Sequence, residues 1–105
     1  MRQALTFVVP LLAAAVAASS ASAGDIAAGF KHAKEICAKC HVVATGVGGG
    51  GTDGAPPFET IPNQLKRTEP QIKTFLSRPH GRMPDFVMTR REIDDLAAYI
   101  MSLRK

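Results

Sequence analysis

Residues 35–43 read EICAKCHVV, and they hold the chain's only cysteines, Cys37 and Cys40, with His41 directly after the second. Cys-x-x-Cys-His is the attachment sequence of c-type haem. Each thiol can add to one haem vinyl group as a thioether, the two intervening residues let both thiols reach one edge of the ring, and the next residue brings an imidazole to the iron. Three other chemistries compete for the thiols. A thioredoxin-like redox pair requires a βαβ setting, and the chain carries no convincing strand signal. A zinc site requires four ligands, and Cys37 and Cys40 with His32 or His80 include no second pair at finger spacing. A plain disulfide leaves His41 without a role.

A haem held this way has one axial position left for His32, His80, Met83, Met88 or Met101. Met101 falls inside an amphipathic helix and suits packing. His32 lies too close in sequence to the attachment motif to cross to the opposite face of the ring. Met83 stands on a proline-bounded loop far enough along the chain to wrap to that face, where a thioether leaves iron six-coordinate and raises its potential. Met83 is therefore the expected ligand, with Met88 and His80 in reserve.

The chain has 105 residues, so one domain is expected. Arg2, an uncharged run from Ala4 to Ala18 and the small-residue pattern Ala21-Ser22-Ala23 describe a secretory signal peptide over residues 1–23, cleaved before Gly24. The apolar run is 15 residues long, short of the ~20 that span a bilayer. The processed chain, 24–105, has 82 residues, 12 basic and 9 acidic, for a formal charge of +3. A core of this size supplies only about 3–5 kcal/mol without a staple, and a bound haem would add apolar bulk. Tryptophan is absent, and the scattered basic residues show no aromatic interleaving of the kind that stacks bases. Nucleic-acid binding is thus not expected, and an acidic protein partner is.

The remaining elements read as helices. Asp25 can cap a first helix to about Glu35 or Cys37, with Ile26, Gly29, Phe30 and Ala33 at helical spacing. ATGVGGGGTDGAPPF reads as a long loop. It lacks the Gly-Lys-Ser/Thr ending and the preceding strand of a phosphate loop. Residues 60–65 read as a short turn or half-helix, limited by Pro62. Thr68 and Gln71 form a capping box for a second helix with Ile72, Phe75 and Leu76 as its stripe, stopped by Pro79. Thr89 and Glu92 form another for a last helix with Ile93, Leu96, Ala97 and Ile100. Asp94 and Asp95 are placed in its first turn, and Arg104 and Lys105 in its last, to suit the helix dipole. The expected fold class is all-α.

The signal peptide, CAKCH, the loop GAPPF, and PHGRMPDF leading into REIDDLAAYIMSL together resemble class I cytochrome c in its small bacterial monohaem form. The resemblance covers nearly all of residues 24–105. It implies the small cytochrome c fold, with three to four helices, the first and last crossing, around one covalent haem c. It implies Cys37 and Cys40 as thioether anchors and His41 and Met83 as the iron ligands. Gly29 matches the small residue of the helix crossing, and Leu96 and Tyr99 match its apolar and aromatic partners. An aromatic residue is usual four places after that glycine; Ala33 stands there, with Phe30 nearby. The family's loop proline offers its carbonyl to the histidine, a role for Pro56 or Pro57.

The expected function is a soluble periplasmic carrier of single electrons, not an enzyme, and a monomer with no membrane span after cleavage. Lys34, Lys39, Arg78 and Arg82 are candidates for a basic rim that steers an acidic redox partner. The alternatives are a relay subunit of one dehydrogenase or oxidase complex and a five-coordinate gas-binding haem protein.

Overall fold

A computed structural model describes residues 2–15, 24–49, 54–78 and 81–105. Residues 2–15 form no regular element and are exposed, and no helix among the described residues is long and apolar enough to cross a membrane. The expected cleavage pattern, Ala21 to Ala23, lies outside the described residues, as do Pro79 and His80.

Helix α1, Ile26–Glu35, starts at Asp25, whose carboxylate accepts the Ala28 N–H. Such a cap contributes about 1 kcal/mol by pairing an amide that the helix leaves unbonded. Ile26 is half exposed, and the buried face of α1 is Gly29 and Ala33. Helix α2, Glu69–Leu76, opens on the Thr68/Gln71 capping box with Pro70 in the tolerant first turn. It buries Ile72 while Phe75 stays half exposed, and it ends at Ser77, whose hydroxyl donates to the Lys73 carbonyl at 2.6 Å. Helix α3, Arg90–Ser102, opens on the Thr89/Glu92 box and buries Leu96, Ala97, Tyr99 and Ile100.

The first and last helices cross at Gly29. A Cβ there would lie 2.0 Å from the Asp95 carbonyl oxygen and 2.9 Å from Tyr99 Cβ, so only glycine lets the backbones meet. Phe30 packs on Tyr99 at 5.0 Å between ring centroids. It takes the aromatic place beside the crossing while Ala33, fully buried, fills the position four after the glycine. Asp94 and Asp95 fall past the first turn of α3 and make tertiary contacts. Lys73 bridges Glu69 at 3.2 Å and Asp94 at 3.3 Å, fastening α2 to α3, and Arg104 and Lys105 lie beyond the helix end.

The all-α expectation needs correction. Strands β1, Val42–Ala44, and β2, Val47–Gly48, form an antiparallel hairpin from the two valines after His41 and the start of the segment read as a loop. Val42, Val43 and Val47 favour extended backbone, and Gly46 at φ 72° supplies the left-handed turn residue. The run is so short and so glycine-rich that its strand signal is weak. Residues 58–60 form a single 3₁₀ turn followed by further turns around buried Pro62.

Among the described residues the core is small: Ala33, Cys37, Val43, Phe58, Ile72, Leu96, Ala97, Tyr99 and Ile100, with Leu96 and Val43 its largest fully buried side chains.

Candidate haem-attachment site

The site begins where α1 runs out. Ile36 N–H closes on the His32 carbonyl, and a 3₁₀ turn follows over Cys37–Lys39. The amides of Cys40 and His41 both donate to the Cys37 carbonyl, at 3.1 and 2.8 Å. One carbonyl thus gathers the three side chains of the motif onto a single tight turn. Both thiols are free; Cys37 is buried and Cys40 half-buried. Burial pushes the Cys37 thiol up to about 11, since a thiolate in the core would lose its water.

The hairpin locks this turn from outside. Gly49 N–H donates to the Ala38 carbonyl at 3.0 Å. A Cβ on Gly48 would meet the His41 carbonyl oxygen at 2.5 Å and Ala38 Cβ at 2.7 Å. Part of the glycine run is therefore a fitted lid on the Cys-x-x-Cys turn rather than slack chain, and only the valine–glycine alternation could have signalled it.

His41 is oriented from the far side of the loop. Its Nδ1 donates to the Pro56 carbonyl at 2.7 Å, so of the two candidate prolines Pro56 makes this bond. The bond fixes the tautomer: Nδ1 carries the proton and Nε2 keeps the lone pair that binds a metal. Phe58, buried, packs on the imidazole at 5.2 Å and on Tyr99 at 6.4 Å. The Tyr99 hydroxyl donates to the Val43 carbonyl at 2.5 Å, two residues after His41. Burial raises the Tyr99 phenol above its ordinary value. Asn63 holds the Phe58 segment to the end of α3, donating to the carbonyls of Glu59 and Leu103 and accepting the Lys105 N–H. Sequence reasoning missed Phe58 and Asn63 in these roles; an asparagine 40 residues from its partner carries no local signature.

The other candidates are dispersed. Met83 is half-buried on the segment before α3, and Met88 and Met101 pack against the core cluster. His32 faces α3, with Nδ1 3.5 Å from Glu92 Oε2, and its buried Nε2 has no hydrogen-bond partner. His80 lies outside the described residues. Lys34, Lys39, between the cysteines, Arg78 and Arg82 are all exposed, and the Lys34 ammonium sits 4.5 Å from the Phe30 ring centroid. Among the described residues no group of three or more His, Cys, Asp or Glu side chains converges on a metal-sized position. Two free thiols on one turn, beside an imidazole whose Nδ1 is already bonded, are the donor set that a covalently attached haem needs. The residues present fit the group.

A helix crossing at glycine, a Cys-x-x-Cys-His turn and a proline carbonyl on its histidine define a class, and the chain belongs to the c-type cytochromes, a family of electron-transfer haem proteins. Residues 24–100 match the family described as cytochrome c oxidase, cbb3-type, subunit III. The chain is similar to cytochrome c-552 of Bradyrhizobium diazoefficiens, 42% identical over 94 residues that span 90% of this chain and 89% of the relative. No solved structure gives a significant match.

Proposed function

We propose that this protein is a periplasmic carrier of single electrons with one covalent haem c, anchored by Cys37 and Cys40 and ligated by His41 and Met83. The observation that carries the reading is the 2.7 Å bond from His41 Nδ1 to Pro56, next to two free thiols. When bound, the haem iron supplies one-electron chemistry between its ferrous and ferric states. The chain's part is to hold the imidazole in one tautomer and one orientation. Nδ1–H on a carbonyl makes Nε2 the better donor, and Phe58 resists rotation of the ring. A fixed histidine keeps reorganisation small when the charge changes. Met83 would be the second residue to hold the iron, since Met88 and Met101 pack against the core.

Exposed Lys39 and Arg82 flank the ligands in sequence, in keeping with a basic rim for an acidic redox partner. A relay subunit of a larger complex is the second reading, favoured by the oxidase-subunit description of the matched family.

The visible spectrum of the purified oxidised protein tests the ligation. The weak red-edge band of iron–thioether bonding is expected, and it should vanish in Met83→Ala. Its absence from the parent, with rapid carbon monoxide binding to the reduced protein, overturns the carrier in favour of an open-site haem protein. Migration of the native protein as a small free species, rather than within a large assembly, separates carrier from subunit.

A further inference from the structure

The α1–α3 contact does not begin with helix α1. A Cβ on Gly24 would lie 2.1 Å from the Asp94 carbonyl oxygen, 2.5 Å from that carbonyl carbon and 2.9 Å from Asp95 N, so residue 24 is pressed into the α3 backbone as tightly as Gly29. The next residue is fixed there too, since Asp25 N–H donates to Asp95 Oδ1 at 2.8 Å across 70 residues of sequence. Gly24 is also the residue that cleavage after Ala23 would place first, so a role for its amino group rests on the processing proposed for a periplasmic chain.

We infer that the amino group freed at Gly24 is a structural ligand of α3: its ammonium pairs with the Asp95 carboxylate, and processing thereby completes the lock between the first and last helices. The charges around this point support the assignment. A cation at the start of α1 opposes the helix dipole and needs carboxylates beside it. Asp25 is occupied in capping Ala28, and Asp94 is occupied by Lys73, itself shared with Glu69. Asp95 is the carboxylate bonded to the N-terminal segment, and the Gly24 nitrogen is one residue from the amide it already accepts. In an unprocessed chain the same nitrogen is a neutral amide carrying 23 further residues. The socket sets two demands on the first residue: no side chain, and a free amine.

The test uses the haem-loaded protein from the periplasm. Intact mass should give a chain beginning at Gly24. A second form carries one alanine inserted between Ala23 and Gly24, with its terminus verified by mass, so that Gly24 keeps its seat but loses its charge. Denaturant unfolding at pH 6 should show an unfolding constant about two- to fivefold higher for the extended form, the size of a partly exposed ion pair. The gap should close near pH 9.5. An amine stabilised by a carboxylate contributes fully below its unfolded value of about 7.7–8.0 and is lost as pH rises through its folded one. Asp95→Asn keeps an acceptor for Asp25 N–H and removes only the charge, and it should abolish the difference between the two forms. A mass beginning elsewhere overturns Gly24 as the terminus and with it the processing reading. A Gly24 terminus with the same stability in both forms, or a gap unchanged from pH 6 to 9.5 or unchanged by Asp95→Asn, overturns the ion pair alone.

Discussion

The two stretches that flank the expected haem are built differently. Residues 37–49 and 54–58 are cross-braced. The Cys40 and His41 amides share one carbonyl, Gly49 bonds Ala38, Pro56 holds His41, and Tyr99 reaches over from α3 to Val43. Residues 84–89 contain neither helix nor strand; Phe86 is 40% exposed and Val87 fully so. Met88 against the core and Thr89 at the α3 cap secure the end of this stretch. The first side owes its geometry to the chain's own bonds, and the second can owe its geometry to what Met83 binds. A protein that must hold one ligand rigid and reach over a large group with the other benefits from this asymmetry.

The contrast breaks most completely if the anchors go. Cys37→Ala with Cys40→Ala is expected to abolish haem retained on a denaturing gel. It should leave the chain largely unfolded by circular dichroism, because a core with so few fully buried side chains supplies only about 3–5 kcal/mol. A folded, monomeric double variant would show that the chain's own core suffices. Next in size is Phe58→Ala, on the braced side. It removes a buried ring that touches both His41 and Tyr99, and should cost about 3–5 kcal/mol in denaturant unfolding. A loss under about 1 kcal/mol, far below the range for a buried ring, would mean that Phe58 does not brace the histidine.

The same contrast explains how much of the molecule is legible in the sequence. The helices are legible because their signals are local: Asp25, the Thr68/Gln71 and Thr89/Glu92 boxes, and the stripe through Leu96 and Ile100 each fall within a few residues. The Cys37–Cys40–His41 constellation is legible because its chemistry requires adjacency. The braces are not, since Asn63 to Leu103 and Tyr99 to Val43 join residues 40 and 56 apart. Hydrogen bonds between side chains and remote carbonyls follow from the packed fold, not from any window of sequence. The choice between Pro56 and Pro57 has the same character: both precede Phe58, and only the path of the loop selects a carbonyl. The hairpin is hidden for another reason, because Gly46, Gly48 and Gly49 look like slack where two of them are close contacts.

Met83→Ala probes the lightly held side. The expected stability loss is smaller than for Phe58, about 1–2 kcal/mol for a half-buried side chain, while the iron–thioether band disappears altogether. Strong spectral change with little global destabilisation is the signature of a side held mainly by its ligand. An unchanged spectrum transfers the axial role to Met88 or His80.

The smallest effect, and the one that separates the two kinds of support most finely, is Tyr99→Phe. At pH 7 it removes one hydrogen bond to Val43 and should cost about 1 kcal/mol. The pH dependence carries more information. Burial raises the folded phenol above its unfolded value, which is about 10. Below that value both states are protonated and the bond contributes fully. As pH rises past it the unfolded chain ionises first, binds fewer protons than the folded one, and stability falls until the folded phenol also ionises. Tyr99→Phe lacks this limb, so its deficit should shrink above pH 10 and reverse if the folded phenol resists ionisation far enough. Lysine deprotonation over the same range is common to both proteins and cancels in the difference. Cys37 supplies a control. As a free thiol pushed up to about 11 it would erode stability between about 9 and 11, but as a thioether it has no proton to lose. The haem-loaded form extended by one alanine, which lacks the Gly24 ion pair, should therefore hold its stability from pH 9 to 10 and decline only above it. A decline beginning near pH 9 would point to an unattached Cys37, and a Tyr99→Phe deficit constant from pH 7 to 11 would remove the phenol from the brace around His41.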